Sequence, residues 1–175
     1  MLVLITGGSK NGKSEIAERI VTLYDSERFY IATMEPYCDE ALEAIERHRK
    51  IRSKKGFETI EKYTDINEIE IPENSCVLLE CICNLCANEM FSKNINDPVD
   101  KIKTGVEKIA KGAKVFVVVT NQVGDDGTVY SPETMKYIKN IGEVNRRISE
   151  KADCVIEAVY GIPIVLKGEK PECLF

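Results

Sequence analysis

This sequence of 175 residues has no tryptophan, only 7% aromatic residues and a single histidine. So few rings leave little with which to build a surface that stacks nucleobases. There is no excess of positive charge either: 24 Lys and Arg stand against 29 Asp and Glu, for a net charge of −5. General nucleic-acid binding, which rests on Lys and Arg, is therefore not expected. Long apolar runs are missing as well. The N-terminus, MLVLITGG, is apolar for five residues and then turns to glycine, with no basic segment before it. Neither a signal peptide nor a membrane span is expected, and the chain is expected in the cytoplasm. The seven cysteines do not form an even set. Without a secretory signal they read as reduced thiols, not as a disulfide framework. Internal repeats and low-complexity stretches are also lacking. Hydrophobic content of 43% and charged content of 30% are ordinary for a globular chain of this length, so one domain over residues 1–175 is expected.

What is present is alternation. Short apolar runs at 2–6, 29–33, 76–80, 115–120 and 154–159 read as buried parallel strands. Between them, residues 14–24, 39–52, about 97–111 and 132–152 have helical spacing. An α/β layered domain with a mostly parallel sheet follows. At the end, VIEAVYGIPIVLKG holds two apolar runs joined at Gly161, a link that permits only an antiparallel hairpin. The most polar connector is 62–75.

Residues 7–14, GGSKNGKS, fit the pattern G-x-x-x-x-G-K-[ST]. Glycines let backbone N–H groups close around phosphate oxygens, Lys13 neutralises β/γ charge, and the Ser14 hydroxyl can ligate Mg²⁺. The motif follows an apolar strand and opens an amphipathic helix, the context its mechanism needs. A nucleoside triphosphate, GTP or ATP, is the expected substrate. Glu80, at the end of a buried run taken as a neighbouring strand, is the candidate acid for the metal; a solvated strand-end carboxylate is the plainer alternative.

The only histidine lies in RHRKIRSKK, residues 47–55, which carry six Lys and Arg and leave −11 on the rest of the chain. His48 continues the row Ala41, Ile45 toward Arg52 on its helical pattern, where a satisfied core histidine is the ordinary reading. A solvated basic face is the ordinary reading of the run. Beside a triphosphate, an uncharged imidazole is also a nucleophile for phosphorus, and the surrounding cations suit the leaving charge.

In order along the chain, ITGGSKNGKSEIAE, FYIAT, DEALEAIERHRKIR, LLECICNLCANEMF, VTNQVG, GEVNRRISEKAD and VYGIPIVLKG carry a resemblance. The sequence resembles the bifunctional adenosylcobinamide kinase/adenosylcobinamide-phosphate guanylyltransferase family of cobalamin biosynthesis. The H-R-x-x-R at His48, Arg49 and Arg52 is its most specific element. The resemblance implies a single P-loop domain of RecA-like kind, Mg²⁺ as cofactor and two activities. One is phosphorylation of adenosylcobinamide; the other is transfer of GMP from GTP to adenosylcobinamide phosphate through a guanylyl-histidine at His48. It implies nucleotide contacts at Gly7, Gly8, Ser9, Lys10, Asn11, Gly12, Lys13 and Ser14, at Thr33, Met34 and Glu35, at Arg49, Lys50, Ile51 and Arg52, and at Glu61 and Glu80. It implies a corrinoid substrate and a homotrimer.

The chain departs from the family pattern at Lys10 and Asn11, at Met34, at Gln122 where the family has glutamate, and at Tyr137, Ile138 and Lys139. Gly142 and Asn145 keep their places. A member with one half-reaction, and a different small-molecule P-loop kinase, remain open as alternatives. Cys76, Cys81, Cys83 and Cys86 fall within eleven residues and invite a metal reading, but packed or free thiols are expected.

Overall fold

The computed structural model describes residues 1–36, 53–124, 126–169 and 171. Its strands are β1 (Leu2–Thr6), β2 (Arg28–Ala32), β3 (Phe57–Glu61), β4 (Cys76–Leu79), β5 (Val115–Val119), β6 (Cys154–Val159) and β7 (Ile162–Lys167). The helices are α1 (Lys13–Thr22), α2 (Ile82–Ala87), α3 (Val99–Gly112) and α4 (Pro132–Lys151). A short 3₁₀ turn covers Ile66–Glu68, and α2 runs directly into a π-helical turn, Asn88–Ser92. The strands form one sheet in the order β3-β2-β4-β5-β1-β6-β7. All pairs are parallel except β6 with β7.

Alternation along each central strand divides the core in two. Leu2, Leu4, Val77, Leu79, Phe116 and Val118 face the layer of α2, α3 and α4, against Ile82, Leu85, Ile102 and Ile148. Val3, Ile5, Leu78, Val117 and Val119 face the other way, against Ile16, Ala17, Ile20 and Val21 of α1. Burial on both faces explains why these strands read as continuous apolar runs. The hairpin expected at Gly161 is present. Tyr160 and Gly161 have φ of 50° and 81°, and Val159 pairs with Ile162, so two residues in left-handed conformation make the turn.

Three features differ from the sequence reading. The strand β3 was not expected; it lies at the sheet edge, only Phe57 of its five residues is buried, and FETIE carries too little apolar signal to announce itself. Residues 82–92 form α2 and the π turn, although Asn84, Asn88 and Glu89 interrupt any apolar period there. Finally, β4 does not neighbour β1, because β5 lies between them. The expected helix over 39–52 lies outside the described residues.

Candidate functional site

The phosphate loop is held by the C-terminal hairpin. Gly7 has φ 141°, and a Cβ there would stand 2.5 Å from the carbonyl oxygen of Ala158 in β6. Only glycine fits so close to another backbone at that angle. Gly161 N donates to the Asn11 carbonyl over 3.1 Å, and Gln122 N donates to the Gly7 carbonyl over 3.4 Å. The loop is thus fixed between β6 and the segment after β5. Gly12 caps α1 in left-handed conformation, so the unpaired N–H groups of that helix open into the loop.

Lys13 is only 7% exposed, and its Nζ donates to the Gly8 carbonyl over 2.5 Å. Burial pushes its pKa down, with the sulfurs of Cys81 and Cys83 pulling in the opposite direction. An ammonium held out of water in this way gains from an anion beside it.

A cavity of about 360 Å³ lies at the loop. It brings together Lys10, Asn11, Gly12, Lys13 and Ser14 with Met34 and Glu80. Glu80 arrives there although its strand is one removed from β1, because the parallel strands all end at the same edge. Ser14 and Glu80 are hard oxygen donors on one cavity, a donor set that suits Mg²⁺. Cys81, Asn84, Val119 and Asn121 also line it and were not foreseen. Asn121 was visible only as part of TNQVG, and Asn84 was hidden among the cysteines.

The remaining expected residues are placed differently. Thr33 is fully buried, and its hydroxyl donates to the Cys81 carbonyl over 3.1 Å. Glu35 accepts from Ser92 Oγ at 2.9 Å. Glu61 ends β3, accepts from the Tyr63 hydroxyl at 3.3 Å and is not among the residues lining this cavity. His48, Arg49, Lys50, Ile51 and Arg52 lie outside the described residues.

A second cavity, of about 560 Å³, borders the same loop at Gly8 and is lined by Gln122, Val123, Tyr130, Tyr137 and Ile138, among others. Three of the departures from the family pattern therefore share one wall. Gln122 Nε2 donates to Glu157 Oε1 over 2.8 Å, a partnership a glutamate at 122 would replace with repulsion. The Tyr137 hydroxyl donates to the Cys83 carbonyl over 3.1 Å.

Cys76, Cys81, Cys83, Cys86 and Cys154 are buried free thiols. The Cys83 thiol is held low, chiefly by a hydrogen bond from Cys81, whose own thiol is pushed up by that pairing and by burial. Burial pushes Cys86 up to about 12.

The sequence profile of the family described as cobinamide kinase / cobinamide phosphate guanyltransferase matches residues 3–166. Among curated proteins, the bifunctional adenosylcobalamin biosynthesis protein CobU of Escherichia coli K12 is 30% identical, over 95% of this chain and 100% of that protein. The protein of the same name from Salmonella typhimurium LT2 is 29% identical, again over 95% of this chain and all of the relative. The bifunctional adenosylcobalamin biosynthesis protein CobP of Pseudomonas aeruginosa PAO1 is 25% identical, over 95% of this chain and 97% of the relative. With the match spanning the loop, both cavities and the hairpin that braces them, the chain belongs to the cobinamide kinase / cobinamide phosphate guanyltransferase family.

Proposed function

We propose that this chain, one nucleotide-binding domain over residues 1–175, is a bifunctional enzyme of cobalamin biosynthesis. It phosphorylates adenosylcobinamide from a nucleoside triphosphate and transfers GMP from GTP to adenosylcobinamide phosphate. The observation that carries this reading is that one phosphate loop borders two cavities, one with Lys13, Ser14 and Glu80, the other with an apolar wall of Val123, Tyr137 and Ile138. The first suits a triphosphate and the second a large acceptor with apolar surface.

Lys13 and the backbone N–H groups at the start of α1 neutralise and orient the β- and γ-phosphates. Ser14 and Glu80 would hold Mg²⁺, which would neutralise phosphate charge. Met34 contacts the nucleotide at the cavity, Glu35 and Glu61 with Arg49, Lys50, Ile51 and Arg52 add contacts from outside it, and Thr33, fully buried, holds the backbone beside Met34. In the transfer reaction an imidazole nitrogen of His48 attacks the α-phosphorus, and the bond to the bridging oxygen breaks, releasing pyrophosphate. A phosphate oxygen of the acceptor then attacks the same phosphorus, and the nitrogen–phosphorus bond breaks. The cations near His48 in sequence favour its neutral form and the departing anion.

A second reading, retention of one half-reaction, is favoured by Gln122, Tyr137 and Ile138, which change the wall of the acceptor cavity. Both readings meet in one experiment. Protein is incubated with Mg²⁺ and GTP labelled at the α-phosphate, then denatured, with His48→Ala in parallel. Acid-labile label bound to the wild type and absent from the variant supports the transferase. Bound GTP without protein label leaves the kinase alone.

A cytoplasmic homotrimer completes the proposal. Among the described residues no helix is long and apolar enough to cross a membrane. The edge strand β7 exposes Ile162, Ile164 and Leu166 on one face, an apolar stripe suited to association. Sedimentation equilibrium of the wild type tests the trimer.

A further inference from the structure

The last bond of the β2–β3 ladder runs from Lys62 N to the Ala32 carbonyl. Beyond it, two strand-end carbonyls, those of Thr33 and Tyr63, both accept from the side-chain amide of Asn88, each over 2.9 Å. Asn88 is 3% exposed and begins the π turn. Its two N–H groups therefore continue the sheet edge where the backbone ladder stops. Few side chains can do this: a planar amide supplies two donors from one nitrogen, a hydroxyl supplies one and a carboxylate none.

The same π turn meets the same segments at other points. Ser92 Oγ donates to Glu35, and Glu89, 1% exposed, accepts from Asp65 N over 2.7 Å. The widened turn, closed by Lys93 N donating to the Asn88 carbonyl over 3.2 Å, brings 88, 89 and 92 to bear on the chain after β2 and β3. Between Thr33 and Glu35 lies Met34, on the phosphate cavity.

We infer that Asn88 is a positioning residue, whose amide sets the backbone of Thr33–Glu35 at the rim of the phosphate cavity. Its consequence for nucleotide binding rests on the reading given under Proposed function. The part of a nucleotide beyond its phosphates depends on that rim, whereas a bare polyphosphate depends on residues 7–14 and Glu80.

The test compares Asn88→Asp and Asn88→Ser with Asn140→Ala. Asn140 is also buried, but its amide donates to Met90 Sδ and to the Asn96 carbonyl. Two quantities are measured: backbone amide exchange in peptides covering 33–36 and 62–65, and binding of GTP and of inorganic tripolyphosphate. Asn88→Ser, which keeps at most one of the two bonds, is expected to exchange about tenfold faster in those peptides and to bind GTP about tenfold more weakly, as for one lost buried hydrogen bond, and Asn88→Asp, which keeps neither, is expected to show the larger effect in both. Tripolyphosphate binding and the Asn140→Ala protein are expected to stay near wild type in both respects. Unchanged exchange, equal weakening of both ligands, or the same pattern in Asn140→Ala would overturn the inference. A wild type that binds tripolyphosphate and no GTP would instead sink the nucleotide assignment, and the exchange measurement would still decide the role of Asn88.

Discussion

Gln122 and Glu157 are joined over 2.8 Å, the amide of one donating to the carboxylate of the other, across the gap between the end of β5 and β6. Gln122 N also bonds the Gly7 carbonyl, so the pair supports the phosphate loop from one side. Gln122→Glu places two carboxylates in contact and is expected to cost about 1 kcal/mol, the worth of one hydrogen bond. Adding Glu157→Gln restores an amide–carboxylate pair in reversed order and recovers most of the loss. Urea unfolding at pH 7 of wild type, both single variants and the double variant reads this coupling. Additive effects would mean that the two side chains are independent.

Lys13→Met is expected to separate binding from stability. Nucleoside triphosphate affinity falls about 100-fold with the loss of a buried cation facing phosphate. Stability stays level or rises, because an ammonium no longer has to be held out of water. The pH dependence follows from the direction of the shift. Burial lowers the Lys13 pKa, the ammonium form binds phosphate, and affinity therefore declines with rising pH sooner than for an ordinary lysine. Calorimetric titration with triphosphate from pH 7 to 10 measures the decline, and the Met variant should lack it.

Lys101 stands between two carboxylates, Glu89 at 2.6 Å and Asp65 at 2.5 Å. Glu89 is almost wholly buried, so Lys101→Met leaves an uncompensated charge in the interior and is expected to cost about 3–5 kcal/mol. The hydrogen bond from Lys101 is also the main reason that the Asp65 carboxyl is held down to about 2. A carboxyl lowered on folding stabilises above its unfolded value, and that contribution is lost as pH falls through the folded one. Wild-type stability should drop between about pH 4 and about pH 2 on this account. The Lys101→Met protein should lose less over that interval. Denaturant midpoints at pH 7, 4 and 2.5 check both statements.

The phosphate loop, the buried strands β1, β2, β4, β5 and β6, the helices α1, α3 and α4 and the terminal hairpin were legible along the chain. Each depends on short-range rules: what glycine permits at Gly7 and Gly12, apolar runs in strands covered on both faces, 3.6-residue spacing in α4, and a two-residue turn at Tyr160–Gly161. Tertiary structure alone decided three other things. It set β5 between β1 and β4 while still delivering Glu80 to the loop, because strand order is chosen by how buried faces pack and not by sequence neighbours. It made an edge strand of FETIE, whose partner β2 lies 25 residues or more away in the chain. And it turned Asn88, a polar residue in a stretch without apolar period, into the group that satisfies two strand ends, a role that exists only where distant carbonyls converge on one amide.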